Sequence, residues 1–245
     1  MIDFAQLDAL KQRLDAHRPL PAAVLEKLHE DLVLRWTYHS NAIEGNTLTL
    51  KETKVVLEGV TVGGKTLREH FEAINHRDAI QFVESVVKED VPYTAQLIRS
   101  IHALILRHID DENAGAWRKQ NVRISGADHV PPDASALPGM MEAFVAWHAK
   151  AEAELHPVEL AARTHGDFVK IHPFLDGNGR TARLLMNLDL LRRGFPVIIL
   201  PVERRLEYYE ALDTAHVHGD YAPFLDFIGE LAVQAFEPYW HALRG

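Results

Sequence analysis

The sequence predicts an all-α protein, a helical bundle with one small β-hairpin. Apolar residues recur three and four apart through most of its 245 residues, the spacing that turns one helix face inward. Capping residues fall at the starts of these stretches. Strand-like alternation is confined to one short segment. With 47% hydrophobic and 25% charged residues, the chain has ample material for a core and an ordinary globular surface.

Within residues 21–43, Leu25, Leu28, Leu32 and Trp36 form one apolar stripe. Thr49, with Glu52 three residues later, reads as a capping box opening a short helix through Leu57. Residues 66–87 predict a long helix with Phe71, Ile74, Ile80 and Val83 on or near one side. Thr94 starts the next, where Leu97, Ile101, Leu104 and Ile105 keep helical spacing. Stretches 139–153, 157–171, 179–193, 203–216 and 222–241 continue the series. The hairpin pairs 121–125 with 128–130 across Gly126 and Ala127, and Pro131-Pro132 ends it, since proline cannot donate to a ladder. Residues 197–200, closed by Pro201, read as an extended connector.

Composition excludes several classes of function. The absence of Cys rules out a disulfide scaffold, a cysteine-bearing zinc finger and a thiol nucleophile. Asp3 and Asp8 in MIDFAQLDAL speak against a signal peptide, and no apolar run reaches the roughly 18 residues of a membrane span. Twenty-six basic against 35 acidic residues give a net charge of −9, the wrong sign for a nonspecific nucleic-acid coat. The expectation is a cytoplasmic globular protein with neither a membrane nor a nucleic-acid partner.

Chemistry concentrates in residues 172–183, HPFLDGNGRTAR. Gly177, Asn178 and Gly179 precede a strongly helical run, and glycines there let successive N–H groups approach a ligand. At a helix N-terminus those donors lack intrahelical acceptors and the dipole is positive, so the turn suits phosphate. Arg180 and Arg183, three apart, share one helix face and would extend the site to a polyphosphate. Asp176 is a hard oxygen donor suited to Mg²⁺ shared with substrate phosphates. His172, with an ordinary pKa near neutrality, suits a general base, and Pro173 biases it towards extended backbone.

This string matches the signature of Fic proteins, HPFx(D/E)GNGRxxR, at every specified position. The chain resembles a Fic (Fido) domain protein adenylyltransferase, an enzyme that transfers AMP from ATP to a Ser, Thr or Tyr hydroxyl of a target protein. The resemblance implies a Fic-type helical core over 94–230, an N-terminal helical extension over 1–93 and a C-terminal helix end over 231–245. It makes His172 the base, Asp176 the ligand of Mg²⁺, and Gly177, Asn178 and Gly179 the anion hole. Arg180 would support the phosphates and Arg183 grip the γ-phosphate, with Thr181 and Ala182 completing the nucleotide-binding turn.

Three further segments take meaning from the same resemblance. Residues 121–132 resemble the Fic flap, which would add an extended target segment as a strand and set Gly126, Ala127, Asp128 and His129 near the nucleotide. A plain surface hairpin is the other reading. Residues 40–46, SNAIEGN, resemble the inhibitory pattern (S/T)xxxE(G/N) of the class with an N-terminal inhibitory helix, here about 22–46. Glu44, near a turn that Gly45 can cap and with Ser40 before it, would form a bidentate pair with Arg183 and deny it to ATP. Tyr208 and Tyr209 resemble an adenine-flanking pair, although Leu206 and Leu212 beside them fit a core role equally. His216 stands where relatives can carry Asn, so its base contact is open.

The resemblance implies ATP as substrate, Mg²⁺ as cofactor and a target presenting a hydroxyl-bearing segment, and it allows a homodimer. Two alternatives remain: a de-AMPylating hydrolase using Glu44, and a nucleotide-binding regulator without transfer. Rival signals are weak. GVTVGGKT at 59–66 satisfies a P-loop pattern, but a charged, helix-like stretch rather than a buried strand precedes it, leaving Lys65 a loop lysine. The 15 histidines show no metal-ligand spacing.

Overall fold

A computed structural model describes residues 2–244, and among them there is no β-strand. The helices are α1 (Phe4–Asp15), α2 (Ala22–Ile43), α3 (Leu50–Leu57), α4 (Leu67–Lys88), α5 (Ala95–Leu106), α6 (Leu137–Glu154), α7 (Pro157–Ile171), α8 (Asn178–Arg192), α9 (Arg205–His218), α10 (Ala222–Gln234) and α11 (Glu237–Arg244). Caps explain several starts. Thr49–Glu52 and Thr66–Glu69 both form complete capping boxes, and the Thr94 hydroxyl accepts from Leu97 N.

The α8 helix is buried nearly all round, and it divides two apolar cores. Met186 and Leu190 join the first with Leu7, Leu14, Val158, Phe224 and Trp240. Ala182, Leu184, Leu185 and Leu188 join the second with Trp36, Ile80, Ile101 and Phe168. A helix bounded by protein on every side cannot shift without opening a core, so its N-terminus is a fixed platform. The 1–93 segment takes part in this packing: α2 and α4 lie directly on α8.

Two sequence expectations about these elements need correction, and one helix was not expected. Residues 121–130 make no hairpin ladder. A turn bond joins Ala127 N to Ile124 O at 3.3 Å, with Gly126 at φ 78°, but the flanks bond elsewhere. The Asn121 side chain engages Asp133 and Ala134 N, and His129 Nε2 donates to Lys170 O, leaving no cross-pairing. The predicted 222–241 helix is two, breaking at Ala235 and Phe236 before Pro238, whose ring cannot follow a continuous turn. Helix α1 was not foreseen; its signals are Asp3 accepting from Gln6 N and the buried Leu7–Leu14 pair two turns apart. Residues 197–200 are an extended connector, and Asn187 serves Ile198 as a strand would, accepting from its N–H at 2.7 Å and donating to its carbonyl at 2.9 Å.

Candidate active site

Helix α7 ends at His172, whose N–H donates to Phe168 O at 3.0 Å. Its backbone is left-handed, φ 52° and ψ 57°, not the extended form that Pro173 favours. Capping the helix decides this conformation against the local preference of a residue before proline. A strained backbone at a chemistry-bearing side chain needs support, and Arg118 supplies it. The buried Arg118 donates from Nε to His172 O at 2.8 Å, while its own N–H donates to Pro173 O at 2.9 Å. Its Nη1 and Nη2 reach Gln120 O (2.9 Å) and Pro132 O (2.6 Å), tying both roots of the 121–132 loop to the histidine. Sequence reasoning missed Arg118, because nothing local marks an arginine whose side-chain acceptors lie up to 54 residues away.

The His172 ring directs Nδ1 to Val169 O at 3.4 Å, which leaves Nε2 as the proton acceptor. Burial pushes its pKa down to about 4, so the ring is neutral and able to accept a proton throughout the physiological range.

The turn after it is closed by short-range bonds. Asn178 Oδ1 accepts from Phe174 N and its Nδ2 donates to Phe174 O, at 3.0 and 2.9 Å. Gly177, at φ 75°, brings the backbone within 3.2–3.3 Å of His102 and Ile105, measured to where a Cβ would stand. His102, stacked on Phe174 at 3.5 Å, accepts from Gly115 N at Nδ1 and so donates from Nε2 to Asp176 O at 2.9 Å. Burial lowers its pKa to about 4, which keeps this tautomer in place. The first intrahelical bond of α8 runs from Thr181 N to Gly177 O, so the N–H groups of Asn178, Gly179 and Arg180 have no intrahelical acceptor. An anion can bind there.

Arg180 and Arg183 are both almost wholly buried. Arg180 meets Asp176 Oδ1 at 3.3 Å and Glu72 Oε1 at 3.4 Å. Arg183 donates from Nε to the Ser40 hydroxyl (2.9 Å) and from Nη2 to Ser40 O (2.8 Å) and Glu44 Oε1 (2.6 Å). The Glu44 contact therefore uses one nitrogen, Nη2, and is not bidentate; Nη1 is buried without a hydrogen-bond partner. Burial opposes the charge on Arg183, but Glu44 outweighs it and holds the guanidinium protonated. Glu44 closes α2, Gly45 follows at φ 97°, and Asn46 N bonds back to Asn41 O at 3.1 Å in a Schellman-type end. A Cβ at Gly179 would stand 2.3 Å from Glu44 Oε1; only glycine lets the carboxylate lie on this turn.

Asp176 accepts from Gly177 N (2.6 Å), Arg180 and Arg68 Nη2 (2.5 Å). Burial would raise its pKa, yet Arg180, the Gly177 N–H and Arg68 together hold the carboxyl below its usual range. No group of three or more His, Asp or Glu able to hold a metal exists among the described residues. A lone, half-exposed carboxylate beside unpaired N–H donors nevertheless fits Mg²⁺, which takes one or two carboxylates and completes its shell with water and substrate phosphates.

Between the loop and α9 lies a cavity of about 240 Å³. Of the residues singled out from sequence, Glu44, Gly126, Ala127, His129, His172, Gly179, Tyr208, Tyr209 and His216 line it. Asp128 does not; its N–H donates to Asp213 Oδ2 at 3.4 Å. Thr181 and Ala182 are set back as well, both wholly buried on α8. The two tyrosines differ in burial, although both line the cavity. Tyr208 is buried with its hydroxyl 3.1 Å from His165 Nε2, whereas Tyr209 is 41% exposed and donates to Ile43 O at 3.2 Å, at the end of α2. His216 Nε2 donates to Gly166 O at 2.9 Å. The P-loop pattern has no strand before it and forms the α3–α4 connection, where Lys65 donates to Thr47 O at 2.6 Å.

A family model described as Fic/DOC matches residues 92–190. Fic-1 (aa134–508) of C. elegans, a solved structure, superposes with a TM-score of 0.88 at 33% identity, over 98% of this chain and 72% of that one. The chain belongs to the Fic/DOC family. A Fic domain containing signaling protein from Bacteroides thetaiotaomicron superposes with a TM-score of 0.87 at 28% identity, over 94% and 93% of the two chains. Protein adenylyltransferase Fic of Nematostella vectensis is 39% identical over 243 residues, 97% of this chain and 56% of that protein. The chain spans about half the length of the curated relatives it matches. No described helix is long and apolar enough to cross a membrane.

Proposed function

We propose that this Fic protein is a protein adenylyltransferase whose resting form is blocked by Glu44. The single observation that carries the reading is the Glu44–Arg183 contact, made on the anion-binding turn and facing the cavity that also holds His172. In the forward reaction a target hydroxyl oxygen bonds to the α-phosphorus of ATP as the bond from that phosphorus to the α–β bridging oxygen breaks. Pyrophosphate leaves, and the hydroxyl proton passes to His172 Nε2. The free N–H groups of Asn178, Gly179 and Arg180 would carry phosphate oxygens, Arg180 would add its charge, and Arg183 would grip the γ-phosphate once released. Asp176 would hold Mg²⁺, which supplies charge neutralisation on the phosphates when bound. The division into a regulatory extension (1–93), a Fic core (94–230) and a C-terminal end (231–245) belongs to this reading.

The 121–132 loop would receive an extended target segment and complete its own pairing against that partner. A second reading draws on the same geometry: Glu44 shares the cavity with His172, so its carboxylate could orient water and remove AMP from a modified target. Labelled ATP separates these. Glu44→Gly should raise self-labelling about tenfold or more, the equivalent of roughly 1.4 kcal/mol of relieved competition. Adding His172→Ala should reduce labelling by about 10²-fold or more while nucleotide affinity stays within about threefold. Labelling that ignores both substitutions overturns the proposal. Loss of AMP removal in Glu44→Gly would establish the second reading.

A further inference from the structure

Arg68 lies in α4, outside the signature, and reaches across to the turn. It forms one corner of a closed ring of four charges. Arg68 Nη2 meets Asp176 Oδ2 at 2.5 Å, Asp176 Oδ1 meets Arg180 at 3.3 Å, Arg180 meets Glu72 at 3.4 Å, and Glu72 returns to Arg68 Nε at 3.1 Å. The ring alternates in sign and sums to zero. Glu72 also accepts from Asn46 Nδ2 at 2.8 Å, two residues beyond Glu44, so the ring continues into the turn that carries the blocking carboxylate.

Both oxygens of Asp176 thereby accept from the protein's own donors. Oδ1 serves Gly177 N and Arg180, and Oδ2 serves Arg68. Of these partners, Arg180 and Gly177 are locked into α8 and its N-terminal turn, but the Arg68 side chain is 57% exposed and hangs from the far end of a flexible stem. It is the one partner that can leave without disturbing a core. A divalent cation drawn to that same oxygen would be repelled by the guanidinium already on it.

We propose that Arg68 is a competitor for the divalent-cation position: it holds Asp176 Oδ2 in the resting protein and must be displaced before a cation binds. This rests on the reading of Asp176 as the metal carboxylate. The consequence is a second restraint, distinct from Glu44 and acting on the metal where Glu44 acts on the γ-phosphate clamp. Because the pair is largely exposed, its strength is modest, and removal of Arg68 should strengthen cation binding about three- to fivefold.

The test is a binding measurement that needs no turnover. The Kd of the non-hydrolysable analogue AMP-PNP is measured by calorimetry with excess Mg²⁺ and again in EDTA, and the ratio of the two isolates the metal. Arg68→Ala should increase that ratio about three- to fivefold over wild type, and Arg68→Lys should fall between them, since a lysine retains the charge but makes a single contact. Asp176→Asn should bring the ratio near one. An unchanged or smaller ratio in Arg68→Ala, with the Asp176→Asn effect intact, overturns the proposal while leaving the metal reading standing. A full metal effect in Asp176→Asn overturns both, and marks the metal reading as the point of failure.

Discussion

The turn of residues 172–177 and the loop of residues 121–132 border the same cavity, yet they are held in opposite ways. The turn is over-determined from within: Asn178 closes on Phe174, Gly177 on Asp176, and His102 fixes the carbonyl between them. The loop has one internal turn bond and is otherwise held at its roots and by single tethers to Lys170 and Asp213. Atoms that would handle phosphate under the proposed function are thus set in advance, where misplacement by an ångström is costly, while the surface a target would meet is held more loosely. Arg118 joins the two regions through one side chain.

The sharpest way to break this contrast is Arg118→Met, which leaves the carbonyls of His172, Gln120 and Pro132 without their donor. The cost should be about 3 kcal/mol or more, with melting lowered by about 6–12 °C. A shift under about 2 °C would show that the two regions are not joined there. Next comes a matched pair of substitutions. Asn178→Ala orphans the buried N–H and C=O of Phe174 and should cost about 2–3 kcal/mol. Gly126→Ala places a Cβ in open space at φ 78° and should cost only about 1 kcal/mol. Equal losses in urea titrations of the two variants would contradict the difference in restraint.

The smallest expected effect concerns pH. His172 titrates near 4 because of burial, so transfer by Glu44→Gly should vary by less than about twofold between pH 5.5 and 7.5 on its account, then fall as pH drops through about 4. An acidic limb centred near 6.5 would mean the base is not buried in the active form. The same depression has a stability sign. The unfolded chain binds protons on His102, His172 and His216 below about 6.5 that the folded chain refuses until about 4, so stability is full above that upper value and declines as pH falls through the window.

The degree to which the sequence could be read follows from the range of the interactions involved. The anion turn was legible because its glycines, its asparagine and the helix start lie within a few residues and each answers a local demand of backbone geometry. Capping boxes at Thr49 and the end of α2 at Gly45 were legible for the same reason. The hairpin was misread because pairing depends on where flanking groups find partners, and here Asn121 and His129 find them outside the segment. The expected fork between Glu44 and Arg183 is a single-nitrogen contact, because the relative placement of two side chains 139 residues apart is set by tertiary packing, where Ser40 also engages the guanidinium.

By itself, then, the chain's order of residues determined the helical bundle and the phosphate-suited turn, since each follows from periodicity or from neighbours in sequence, and it carried the signature whose resemblance implies roles for His172, Asp176 and Arg183. Tertiary structure alone decided that Arg118 ties His172 to the loop, that Arg68 occupies Asp176, and that burial moves His172 well below its ordinary pKa. Those features depend on groups between 54 and 108 residues apart and on exclusion of water, and neither distance in space nor dielectric surroundings is written in local sequence.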